Sequence, residues 1–215
     1  MIEISIVQKI AIWALPVLFA ITAHEVAHGW VASLFGDQTA RFSGRLTLNP
    51  LKHIDPLGTV IIPIILLMIS NFIFGWAKPV PVDARNLRNP RIDMVFVALA
   101  GPTANFCMAL LWAGIAKIGL SLPLWFEAPL MGMGIAGIQI NVVLGVLNCL
   151  PIPPLDGGRA LAQLLSGKTA WYFYRLEPYG FLILLALMFT HILDYILFPP
   201  IDFLTNGIAS IFGLV

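Results

Sequence analysis

The chain alternates long apolar runs with short polar ones. Five apolar stretches, 6–35, 57–75, 94–120, 130–150 and 179–198, approach or exceed the roughly 20 helical residues that cross a hydrocarbon layer. Three polar connections, 36–56, 76–93 and 151–178, are rich in Pro, Gly, Asn and Asp, the residues that break helices and build turns. The pattern predicts an all-α polytopic membrane protein, one domain over 1–215, without internal repeat or low-complexity linker. Within 57–75, Pro63, Ser70 and Asn71 predict a broken, re-entrant element; a fifth crossing with a Pro kink is the alternative, since membrane helices tolerate Pro. Between turn residues, Gly44, Arg45, Leu46, Thr47 and Leu48 alternate as a strand does. They predict a small membrane-associated β-hairpin or re-entrant element after the first helix, with an edge that could receive an extended substrate. The tail 199–215 is apolar, opens on Pro199 and Pro200, and is read as lying along the interface.

Composition agrees with this picture. The 215 residues are 59% hydrophobic and 11% charged, against roughly 25% charged in a soluble domain. A net charge of +1 supplies no basic face for a phosphate backbone, so no nucleic-acid partner is expected. Cys107 and Cys149 lie in apolar stretches and suggest packing rather than a disulfide framework. Residues 1–8 lack the basic region and cleavage site of a signal peptide, so the apolar start is read as retained in the mature chain.

Orientation follows from the cations. If 57–75 enters and leaves by one face, Lys and Arg divide ten to two, with only Lys9 and Lys117 outside; if all five stretches cross, they divide eight to four. The stronger bias favours four full crossings, one incomplete one and an external N-terminus. Arg85, Arg88 and Arg91 then read as a solvated cluster facing headgroups, worth about 1 kcal/mol each near an anionic surface.

Chemistry enters with His24, Glu25 and His28. Two histidines four residues apart share a helix face and can both ligate zinc, with the intervening carboxylate placed as a general base. A catalytic zinc needs at least one further protein ligand and an open position. Asp156 stands out, because Pro151, Pro153 and Pro154 force the chain out of helix after the fourth stretch while Gly157 and Gly158 permit close backbone approach. Two full crossings between His28 and Asp156 put both toward the cytoplasm; three would let them meet only at the midplane. Asn105 and Asn148 are amides in apolar helices and demand partners: either they tie helices together or they position substrate. His53 could approach the site or bond its local backbone. His191 stands alone in the last stretch and is not favoured as a ligand.

With these residues in view, the chain resembles the site-2 proteases, intramembrane zinc metalloproteases, of the compact type without an inserted PDZ or CBS domain. His24 through His28, Gly101-Pro102-Thr103-Ala104-Asn105, and Asn148 through Leu155-Asp156-Gly157 carry the resemblance, which covers most of the chain. It implies one zinc per chain held by His24, His28 and Asp156, water activation by Glu25, and a three-helix catalytic core from the first, third and fourth stretches with peripheral helices around it. It also implies that Asn148 orients substrate backbone or the Pro-rich loop. The expected partners are a transmembrane protein substrate and the lipid bilayer, in a prokaryotic cell membrane, with the site toward the cytoplasm. A zinc-binding scaffold without activity and a zinc transporter are the alternatives. The transporter would need ligands spread along a permeation route, and no such second constellation is present.

Overall fold

The computed structural model describes residues 5–62, 65 and 77–214. Helix α1 (Ile6–Leu34) starts at Ser5, whose hydroxyl accepts the Gln8 N–H at 3.2 Å while the Gln8 side chain accepts the Ser5 N–H at 2.8 Å. The exchange satisfies two donors at the helix start. After a short helix, α2 (Thr39–Phe42), come α3 (Pro90–Gly119) and α4 (Leu124–Asn148), then α5 (Asp156–Leu164), α6 (Gly167–Leu176), α7 (Gly180–Phe189) and α8 (Ile192–Ile211). Pro90 opens α3 at a position where no N–H is needed. Among the described residues, four runs are long and apolar enough to span a membrane: Val7–Leu34, Pro90–Gly119, Leu124–Asn148 and Gly167–Phe189. The chain is therefore a polytopic α-helical membrane protein.

Helices α1, α3 and α4 pack against one another pairwise. Small residues let the backbones approach: an added Cβ at Gly134 would lie 2.9 Å from the Ala116 Cα, and one at Gly145 would lie 2.7 Å from the Phe106 ring. Close contact of this kind drives helix association where lipid offers no hydrophobic contrast. Ala109, Trp112 and Ala113 of α3, Ile138 and Val142 of α4, and Ile208 of α8 form the main core.

Three expectations are corrected. No described residue lies in a β-strand, so the β-hairpin and its receptive edge are absent there. The alternation at 44–48 has another cause: Arg45 is buried because its guanidinium donates to the Lys78 carbonyl at 2.7 Å, Leu46 packs on Gly29, and the Thr47 carbonyl accepts from the His53 ring at 2.9 Å. The Gly44 and Arg45 amides donate to the Arg41 and Ala40 carbonyls, and the Thr47 carbonyl takes a side chain, so no neighbouring strand is involved. The tail is likewise not an interfacial strip, since α8 runs helically through Pro199 and Pro200 and carries Ile208 into the core. The last apolar stretch does not form one crossing over 179–198, because α7 ends before His191, which sits in the left-handed region at φ 58. Most of 57–75, and with it the re-entrant expectation, lies outside the described residues; its described beginning is a π-type turn at Pro56–Ile61, capped by Asp55.

Between α2 and α3, an extended strap over 77–83 crosses α1. The His53 carbonyl accepts the Lys78 N–H at 2.9 Å, and Asp37 takes the Asp83 N–H at 2.7 Å. Asp37 is fully buried and also accepts from the Thr39 amide and hydroxyl and from Asn86. Burial alone would raise its carboxyl; the converging donors outweigh burial and hold it below the ordinary carboxylate value. The unfolded chain therefore binds a proton more readily than the folded one. Asp37 should stabilise the fold above about pH 4, and that contribution should fade as pH falls below it. Thermal unfolding in detergent should show Asp37→Asn destabilised by about 1–3 kcal/mol at pH 7, with a shallower acid limb. An unchanged acid limb would remove Asp37 as its source.

Arg91 is exposed, as expected of the cluster, and has a further role. It donates to the Gln163, Leu164 and Leu165 carbonyls at 2.6, 3.1 and 3.2 Å, capping the end of α5 and tying it to the start of α3.

Candidate metal centre

The site forms where α1 faces α3 and the α4–α5 connection closes over both. His24 and His28 are one turn apart on α1, their rings edge-to-face with centroids 4.7 Å apart and their Nε2 atoms 3.1 Å apart. Behind His24, Nδ1 lies 2.6 Å from Asn105 Oδ1; behind His28, Nδ1 lies 2.7 Å from the Val97 carbonyl. A carbonyl oxygen only accepts, so each Nδ1 carries a proton, and in the neutral imidazole each Nε2 is bare.

Asp156 arrives from the other side. After α4 ends at Asn148, the prolines prevent helix from resuming until Asp156 itself, the first residue of α5. The turn is tight: a Cβ at Gly157 would lie 2.6 Å from the Leu150 carbonyl oxygen, and one at Gly158 would lie 2.5 Å from the Pro153 nitrogen. Asp156 Oδ2 reaches 3.1 Å from His24 Nε2 and 3.3 Å from His28 Nε2.

Three lone-pair-bearing atoms thus meet in a buried place, and Oδ2 receives no hydrogen bond there. Such a convergence is repulsive until a cation neutralises it. Two imidazoles and one carboxylate also form a donor set suited to zinc. The cluster of His24, His28 and Asp156 can hold a metal ion.

Gly101 makes the approach of α3 possible. An added Cβ there would lie 2.6 Å from Cε1 of both His24 and His28 and would also strike His28 Nε2. Glu25 turns toward the strap, where Oε2 accepts the Val80 N–H at 2.8 Å. The remaining sequence candidates are not brought into the cluster. Asn148 donates to the Leu144 carbonyl of its own helix at 3.0 Å. His53 is buried and donates through Nε2 to the Thr47 carbonyl, the local backbone bond weighed for it. Asn105 backs His24 as an acceptor. Gly101 enters the sequence reading only within the motif that carries the resemblance, without a role of its own; Val80 and Asn141 are absent from that reading, although Asn141, an amide in an apolar stretch, carries the same signal as Asn105 and Asn148.

Fold and site together define a polytopic α-helical membrane protein with a His-His-Asp cluster able to hold a metal ion. The chain is similar to "Putative zinc metalloprotease YwhC" of Bacillus subtilis, 36% identical over 202 residues that cover 92% of this chain and 89% of that one. It is also similar to "Putative zinc metalloprotease Rip2" of Mycolicibacterium smegmatis, 34% identical over 180 residues, and of Mycobacterium tuberculosis, 30% identical over 166 residues. The matched regions span 66% and 59% of those two longer proteins and 82% and 76% of this chain. No family model and no solved structure matches the chain. The chain belongs to this family of zinc metalloproteases.

Proposed function

We propose that the protein is a zinc-dependent intramembrane endopeptidase of the site-2 type, hydrolysing a peptide bond within or near a transmembrane segment of a membrane-protein substrate. The observation that carries this reading is the meeting of two bare imidazole nitrogens on a membrane-spanning helix with an unpartnered carboxylate oxygen from the short helix α5. One zinc per chain would be held by His24, His28 and Asp156. When bound, zinc supplies Lewis acidity, lowering the pKa of water toward about 7 and polarising a carbonyl.

Glu25 takes the proton of the attacking water and returns it to the departing amine nitrogen, acting as base and then acid. The Val80 N–H on Oε2 anchors that carboxylate so that it does not swing freely about its side-chain torsions. Asn105 and the Val97 carbonyl orient the imidazoles. Helical substrate hides its carbonyls in its own hydrogen bonds, and lipid offers no replacement, so the substrate must unwind locally and helix-weakening residues favour it. If 57–75 enters and leaves by one face, the ten-to-two division of cations supports a site toward the cytoplasm of a prokaryotic cell membrane, from which water would reach it.

The test is cleavage of a transmembrane peptide by the purified protein in detergent or vesicles. A strong zinc chelator should abolish cleavage and added Zn²⁺ should restore it. Undiminished cleavage by metal-stripped protein would end the proposal.

A further inference from the structure

Asn105 and Asn141 are both fully buried, on α3 and α4, and form a chain with fixed polarity. Asn141 Nδ2 donates to the Gly137 carbonyl at 2.8 Å. Because that carbonyl can only accept, the Asn141 atom facing Asn105 must be Oδ1, and it accepts from Asn105 Nδ2 at 2.9 Å. The second Asn105 N–H goes to the Ala20 carbonyl at 3.2 Å. Both amide hydrogens of Asn105 are then spent, and its Oδ1 is left to face His24 Nδ1 at 2.6 Å. Two backbone carbonyls, one on α1 and one on α4, thus dictate the direction of every bond in the series.

We propose that Asn141 is a positioning residue for His24: by accepting from Asn105 it keeps the Asn105 oxygen turned to His24 and holds that imidazole in the tautomer with a bare Nε2. The inference rests on His24 being a zinc ligand. Without the Asn141 acceptor, Asn105 loses one of the two bonds that resist rotation of its amide. A rotated amide would offer Nδ2 to His24 Nδ1, drawing the imidazole proton to Nε2, where a ligand lone pair is needed. Zinc would then have to displace that proton, and its affinity would fall. Ordinary helix bonding by Asn141 would leave the His24 tautomer untouched.

The decisive comparison is Asn141→Thr against Asn141→Val, two side chains of one shape differing by a hydroxyl. The Thr hydroxyl can donate to the Gly137 carbonyl four residues back, a bond common in helices, while accepting from Asn105; Val can do neither. Two quantities are read on the purified, folded full chain. One is Zn²⁺ affinity by competition with a chromophoric chelator. The other is the His24 tautomer in zinc-free protein by ¹⁵N imidazole spectra, assigned with His24→Ala among the four histidines. Asn141→Val should bind zinc about tenfold more weakly and show a protonated His24 Nε2; Asn141→Thr should restore both. Wild-type tautomer and affinity in Asn141→Val would overturn the proposal. Equal zinc affinity in wild type and His24→Ala would instead defeat the metal reading, while the zinc-free tautomer still decides the role of Asn141. Should Asn141→Val fail to fold, Asn141→Ser against Asn141→Ala repeats the contrast with smaller side chains.

Discussion

Replacing Glu25 with glutamine is expected to slow peptide cleavage by about 10²–10⁴-fold while leaving zinc bound. An amide of nearly the same shape cannot take a proton from water at neutral pH, so the variant removes the proposed proton carrier and little else. The amide oxygen of the introduced glutamine can still accept the Val80 N–H that Glu25 Oε2 accepts at 2.8 Å, which keeps the strap against α1. His24, His28 and Asp156 are untouched. Cleavage of a labelled transmembrane peptide, followed beside zinc content on the same preparation, separates the two effects. A variant within threefold of wild type would remove Glu25 from the chemistry. Loss of zinc together with activity would show that Glu25 acts on the metal site rather than on the proton. Comparing membrane-protein fragments in cells carrying active and Glu25→Gln enzyme would identify substrates by the same contrast.

Gly101→Ala should empty the metal site. The new methyl would lie 2.6 Å from a carbon of each ligand ring, against roughly 3.5–4.0 Å for an ordinary carbon contact. Neither ring can retreat freely, because His24 is held by Asn105 and His28 by the Val97 carbonyl. The strain must part α1 from α3 or rotate the imidazoles off their partners. Either outcome should weaken zinc binding by about 100-fold and remove cleavage with it. Gly114→Ala is the matched control on the same helix, since the nearest atom to its added Cβ is a Phe212 ring carbon at 3.9 Å. Stoichiometric zinc in Gly101→Ala after dialysis would show that the helices yield more than this packing allows.

The same structure separates what was readable along the chain from what was not. The spacing of His24 and His28 needs only helical periodicity to put both rings on one face, and α1 delivers that pair. The prolines before Asp156 and the glycines after it announced a forced turn, and the turn is made where they stand. The failures have a common origin. The alternation at 44–48 predicts a strand, but three of its members answer to different partners: Arg45 to the Lys78 carbonyl, Leu46 to Gly29 and Thr47 to His53. Pro199 and Pro200 suggested an end to helix, yet α8 continues through them because packing on α3 and α4 supports its later turns.

Local covalent and steric rules, acting over a few residues, thus accounted for the apolar spans, the paired histidines and the break that presents Asp156. Assembly alone settled that Gly101 admits α3 against both rings, that Val80 anchors Glu25, and that Asn141 stands behind Asn105 and His24. These relations join residues tens of positions apart, and they depend on the distances between helices. Helix separation is a product of packing by the whole bundle, so no single segment encodes it.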